Sequence, residues 1–229
     1  MIRSTVALIA TATLSHAAIT VSLPGNQESS GWDQLNNTNT YWADNGYTTS
    51  YPGATPWPGS IAANMTGSIG SATFAKLSGN GYFAGSSIYD GGGAGTYSLS
   101  DASPLAGLAT VVFQLDVGTP VGVTPVLNFN GGSQALAADF STMVAGGYST
   151  INFTTGQSFP TSNYAWQWDL TGLAVSSYEI VWGSNTNNHL TQYEVNLTTG
   201  DSFAQVVPEP SVALLSLAGL FLSFRRRRN

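Results

Sequence analysis

The chain has 229 residues, 26 glycines, 10 prolines and no cysteine, and only 8% of it is charged. That length fits one domain of ordinary size or two small ones, the glycine and proline content argues against long helices, and the missing cysteines exclude disulfide scaffolds, thiolate metal sites and cysteine nucleophiles. Arg3 and Arg225 to Arg228 stand at the two ends; without them and Glu209 there remain eleven acidic residues, Lys76 and a net charge of −10, which repels phosphate backbones and excludes nucleic acid as a partner.

Residues 1–17 read as a secretory signal. Arg3 supplies a positive start, Val6 to Ile9 open an apolar stretch running to Leu14, and Ser15-His16-Ala17 places small residues before a cleavage between Ala17 and Ala18. Cleavage there leaves His189 as the one histidine of the body. The body, residues 18–206, is expected to be a single all-β domain, an antiparallel β-sandwich of jelly-roll type. Its first stretch, residues 25–67, is rich in Asn, Thr, Gly, Pro and aromatic residues and alternates little, so it reads as an irregular wrap with one or two strands. Asp90-Gly91-Gly92-Gly93 reads as a turn, and residues 103–108 as a short helix.

From there the period is two. Val111, Phe113, Leu115 and Val117 fall on one face of a strand, with Gln114 and Asp116 on a wetted one. Leu127 to Asn130 alternate and run into a Gly131-Gly132 turn, after which residues 134–144 suit a second short helix. Trp166, Trp168 and Leu170 share a face against Gln167 and Asp169, and Tyr178, Ile180 and Trp182 oppose Glu179. The Asn-rich residues 184–188 form a turn, and Tyr193, Val195 and Leu197 then oppose Gln192, Glu194 and Asn196. Short strands separated by turn signals, with no βαβ rhythm, indicate two packed antiparallel sheets.

Residues 207–229 are of another kind. Val207-Pro208-Glu209-Pro210 precedes the uncharged, mostly apolar residues 211–224, and Arg225, Arg226, Arg227 and Arg228 follow before Asn229. As a helix, those 14 apolar residues measure about 21 Å. That is short of a hydrocarbon core about 30 Å thick, so they span only with local thinning and with arginine side chains reaching to the headgroups. Arginines collect on the cytoplasmic side, which puts the body outside the inner membrane. Pro208 and Pro210 favour an extended lead-in, since both lack an N–H donor and bias the preceding residue away from helix.

This tail resembles the PEP-CTERM sorting signal of Gram-negative bacteria: a Pro-Glu-Pro motif, a short hydrophobic helix and a terminal arginine cluster, in that order. The resemblance covers residues 207–229 alone. It implies an exosortase as a transient partner that recognises Pro208, Glu209 and Pro210, Arg225 to Arg228 as the cytoplasmic anchor, and delivery to the cell surface or an extracellular polysaccharide matrix.

For the body itself the chemistry points to no catalytic residue. A serine triad needs a histidine base, and only His189 remains. Gly200-Asp201-Ser202 follows the last strand with no histidine after it, which suits a turn. Gly91 to Gly95 has no following lysine to make a phosphate cradle. Glycoside hydrolysis needs two converging carboxylates, and Asp169, Glu179 and Glu194 are the candidates, although alternation alone also places them on polar faces. Carbohydrate contact needs exposed rings, for which Tyr41, Trp42, Tyr47, Tyr51 and Trp57 are candidates; the same rings would serve equally as core plugs. No cofactor is required, and calcium could be held only by oxygen ligands near Asp90 or Asn185 to Asn188. The expectation is an exported, non-enzymatic structural or binding module, with a carbohydrate-binding adhesin or a secreted glycan hydrolase as alternatives.

Overall fold

The computed structural model describes residues 21–35, 57, 59–83, 87–118, 122–151, 158–183 and 191–208. Their elements are β1 (Gln27–Trp32), β2 (Ile61–Ala62), β3 (Thr73–Phe83), β4 (Ile88–Asp101), β5 (Thr110–Val117), β6 (Val123–Phe129), β7 (Leu136–Ala137), β8 (Phe140–Ile151), β9 (Ser158–Asp169), β10 (Tyr178–Gly183) and β11 (Thr191–Gly200). The described residues are all-β, and every ladder is antiparallel. One layer runs β1-β11-β5-β9-β8; the other runs β7-β6-β10-β4-β3-β2. They join at a corner where Ile88 and Tyr89 of β4 pair with Gln192 and Thr191 of β11. Neighbours far apart in sequence, β1-β11-β5-β9 against β4-β10-β6-β7, give the interleaved order of a jelly roll.

Alternation drives the core. Val111, Phe113, Leu115 and Val117 of β5 and Trp166 and Trp168 of β9 point inward to meet Phe74, Tyr97, Leu99, Ile180 and Trp182 of the opposite layer. The contact is largely aromatic: Phe74 stacks on Trp182 at 5.5 Å, Phe113 approaches Trp182 at 4.8 Å, and Phe113 stacks on Trp166 at 5.5 Å. Large rings fill the space between the layers with few side chains, each burying a large area for few rotatable bonds.

Four expectations need correction. Residues 103–108 hold no helix; Leu108 N–H closes a turn on the Leu105 carbonyl, and Gly107 at φ 75° takes the left-handed position. Residues 134–144 carry β7 and the start of β8 instead of a helix, because Leu136 pairs with Leu127 and Phe140 with Gln167, and these ladders outweigh the helix propensity of Ala-rich residues. Asp90 to Gly93 lie within β4: Gly79 faces Gly95 and Gly81 faces Asp90, so the extra residues leave the ladder as a bulge. Finally, β5 has no wetted face, since all eight of its residues are buried, Gln114 and Asp116 included. The Gly131-Gly132 turn is where it was expected: Asn130 and Gly131 have φ 53° and 67°, and Gly132 N–H donates to the Phe129 carbonyl at 3.0 Å. Within residues 25–67, β1 and β2 are the one or two strands expected there, while residues 36–56 and 58 lie outside the described residues. The apolar residues 211–224 lie outside the described residues, among which no helix is long and apolar enough to cross a membrane.

Candidate functional site

The chain leaves the sandwich through a clamp built on Gln167. Its amide Nε2 donates to the Ala204 carbonyl at 2.6 Å, and its Oε1 accepts the N–H groups of Val206 and Val207 at 2.9 and 3.0 Å. On the outer face of β5 and β9, Val207 is buried against Val112 and Ala165, with Val21, Phe140 and Val206 packed around them. Phe203 stacks on Phe140 at 6.1 Å. Asp201 fixes the same region to the N-terminal side: its carboxylate accepts from Asn26 N–H at 3.0 Å and Asn26 Nδ2 at 2.7 Å, and these bonds hold its pKa below the ordinary carboxylate value. Asp201 and Ser202 thus form the turn expected of them. Immediately after the clamp, Pro208 is exposed. Glu209, Pro210, Arg225 to Arg228, Ala17, Ala18, Tyr41, Trp42, Tyr47, Tyr51 and Asn185 to Asn188 lie outside the described residues.

Trp57 does not offer a ring to a sugar. It is buried, 5.4 Å from Phe74 and 5.3 Å from Phe83 between ring centres, so it is a core plug. Asp90 is likewise no open loop ligand for calcium. It is wholly buried and accepts a hydrogen bond from Tyr97 Oη. Lys76, opposite Tyr97 in the β3–β4 ladder, donates from Nζ to the Gly81 carbonyl at 3.0 Å. Burial lowers its pKa to about 8, partly offset by the negative charge of Asp90. Tyr97 is pushed well above its ordinary value, chiefly by burial and then by Asp90. Gly81 and Gly95 leave room for that carboxylate; a Cβ at Gly95 would lie 2.6 Å from Asp90 Oδ2. The group is an internal polar knot closed over by aromatic rings.

The three candidate hydrolase carboxylates do not converge. Asp169 faces Thr110 at one end of β5, and Glu194 faces Asp116 near the other, about 20 Å apart at 3.3 Å per residue. Glu179 sits on β10, in the opposite layer. It borders a hollow of about 310 Å³ at the ends of β4, β6 and β10, together with Ser100, Asp101, Asn128, Phe129 and Tyr178. Asp101 lines this hollow too, but it pairs with Tyr178 and Glu179 with Ser100, so the two carboxylates leave opposite faces of the sheet. Asp101 Oδ1 is already engaged by Ser71 Oγ at 2.7 Å and Ser103 N–H at 2.9 Å. Burial, with Asp101 and Glu28 nearby, raises the Tyr178 pKa well above the ordinary phenol value.

A second polar group, which alternation alone did not pick out, crosses the outer face of β11, β5 and β9. Glu194 stands opposite Asp116, and Asp116 stands opposite Asn163. Asp116 and Asn163 are buried, and Glu194 is half-buried. The signal for it was present in the sequence as polar residues on each of three strands, but only the register places them in one row. Compared with protein-family models, with curated proteins and with solved structures, the chain matches none of them.

Proposed function

We propose that the chain is an exported protein of the cell surface or extracellular matrix, carried as an inner-membrane precursor and released by processing at its C-terminal tail. The tail resembles a PEP-CTERM signal, so the processing enzyme is an exosortase acting near Pro208, Glu209 and Pro210. The supporting observation is the Gln167 clamp. The last residue it holds is Val207, and the next residue, Pro208, is exposed. A processing enzyme must seat the motif in extended form, and the sequence around Pro208 and Pro210 favours that form. Removal of everything beyond the motif would leave the clamp and the core untouched.

The body then acts as a non-enzymatic structural or binding module. Its candidate carboxylates are dispersed, and it has one histidine in residues 18–206. Contact with an extracellular polysaccharide would fall to Tyr41 and Trp42, since Trp57 is buried. Intact-mass spectrometry of the protein recovered from the producing cell is the test. The expected product begins at Ala18 and ends near Pro210; a mature chain still ending at Asn229 would overturn the processing.

A further inference from the structure

The hollow at the ends of β4, β6 and β10 is framed by turns that the chain locks in place. Asn130 Oδ1 accepts from Ser176 N–H at 2.7 Å and from Ser176 Oγ at 2.9 Å, and Asn130 Nδ2 donates to the Ala174 carbonyl at 2.7 Å. Gln134 bonds both backbone groups of Phe129, its Oε1 accepting at 2.9 Å and its Nε2 donating at 3.1 Å. Asn128 Oδ1 accepts Ala135 N–H at 2.8 Å, which leaves Nδ2 as the donor that this amide has not used. The strands β6, β10 and β4 set Asn128, Glu179 and Ser100 in one row. That row is on the solvent side of the layer, because Tyr178 and Ile180 point into the core. Glu179 is half-buried, and its carboxylate has no hydrogen bond or ion pair among the described residues. Ser177 Oγ, also on the lining, has none either.

A rigid frame around unused polar groups lowers the ordering cost for a ligand that pairs with them. Charge selects the ligand. Lys76, the sole lysine or arginine of residues 18–206, is buried, so the body offers no cation to a phosphate, a sulfate or a uronate. A metal ion would find one free carboxylate, since Asp101 leaves the other face and is engaged by Ser71 and Ser103. Asp101 still adds to the negative potential at the hollow, as does the acidic body as a whole. We propose that the hollow holds a protonated amino sugar, one glucosamine-type unit of a glycan. Glu179 takes the ammonium in a charge-assisted hydrogen bond. Asn128 Nδ2 donates to a sugar oxygen, and the Ser100 and Ser177 hydroxyls pair with the remaining hydroxyls. A volume of about 310 Å³ is at the small end of ligand sites and suits a single unit. Ala102, Gly131 and Gly132 are exposed around it, so a longer glycan can continue past the hollow. An N-acetylated unit brings no cation for Glu179. This site goes beyond export and tail processing and does not depend on them.

The test is a titration of the purified full chain in detergent with chitotriose, a short glucosamine oligomer, at about pH 6, where its amines carry protons. Microscale thermophoresis reads binding, and thermal unfolding checks that each variant is folded. Chitotriose is expected to bind at least about tenfold more tightly than its fully N-acetylated form or trilysine. Glu179→Gln should weaken chitotriose binding about tenfold, and Ser177→Ala about threefold. Glu194→Gln removes the same charge from the opposite layer and should leave binding unchanged. The site is overturned if chitotriose does not bind, if the acetylated form or trilysine binds as tightly, or if the two Glu→Gln variants lose equally. A chain that is exported and processed at its tail yet binds no chitotriose would sink this site alone.

Discussion

Two polar groups occupy this sandwich, and they solve the problem of negative charge differently. Inside, Asp90 is answered by the chain itself: Tyr97 donates to it, and the charge of Lys76 lies close by. On the outer face, Asp116 is set opposite a second carboxylate, Glu194, and an amide. The first group is sealed by rings and tuned by its own members. The second lies on the outer face of its layer, with Asp116 and Asn163 buried and Glu194 half-buried. The body's single lysine lies with the inner group.

The largest effect separating the two should come from Asp90→Ala. That change leaves Lys76 buried without its counter-charge and Tyr97 without its acceptor, a loss of about 3–5 kcal/mol in urea unfolding. Glu194→Gln should stay within about 1 kcal/mol, because the residue is half-buried and keeps its hydrogen-bonding oxygen. Equal losses in the two variants would erase the distinction.

A middle-sized effect is expected at the clamp. Gln167→Leu strands the N–H groups of Val206 and Val207 and frees the Ala204 carbonyl. It should cost about 1–3 kcal/mol and speed proteolysis between Phe203 and Pro208. Cleavage unchanged there would mean that Val207 packing alone holds the segment.

The smallest effect is in pH dependence, and it belongs to the inner group. Lys76 binds its proton less tightly in the folded state, at about 8, than in the unfolded chain at 10.5. Between those values the unfolded state carries more protons, so stability rises with pH from about 8. Tyr97 and Tyr178 act in the opposite sense: both are raised when folded, so their contribution is full below the ordinary phenol value and is lost as pH climbs beyond it. Stability is therefore expected to climb from about pH 8 and turn over near pH 10. Lys76→Met should flatten the climb and keep the turnover, which denaturant midpoints across that range would show.

Much of this could be read from residue order. The inward sets on β5, β9 and β10 are written as alternating Val, Phe, Leu, Trp and Ile, and alternation needs no knowledge of partners. Partners decided the rest. Gln134 to Val144 carry helix-forming alanines, yet pairing with β6 and β9 makes them strands. Asp90 to Gly93 have turn composition, yet β3 opposite them contributes Gly79 and Gly81, and the surplus is absorbed as a bulge. Trp57, amid residues that look like a binding platform, is drawn into the core because Phe74, Phe83 and Tyr97 leave space for a ring there. The carboxylate row combines residues 116, 163 and 194, and separations of that size are invisible to any local pattern.

The meeting of Val21 and Val207 in one small apolar patch has a mechanical consequence. The chain enters β1 at Gln27 and leaves β11 at Gly200, and these two residues face each other at the same end of one ladder. A load pulling the two termini apart would break that ladder one rung at a time, the direction in which a sheet resists least. A load carried through one terminus alone would bypass it. A domain with its doorway at one corner is suited to being tethered by a single end, and poorly suited to serving as a link in a tensioned chain.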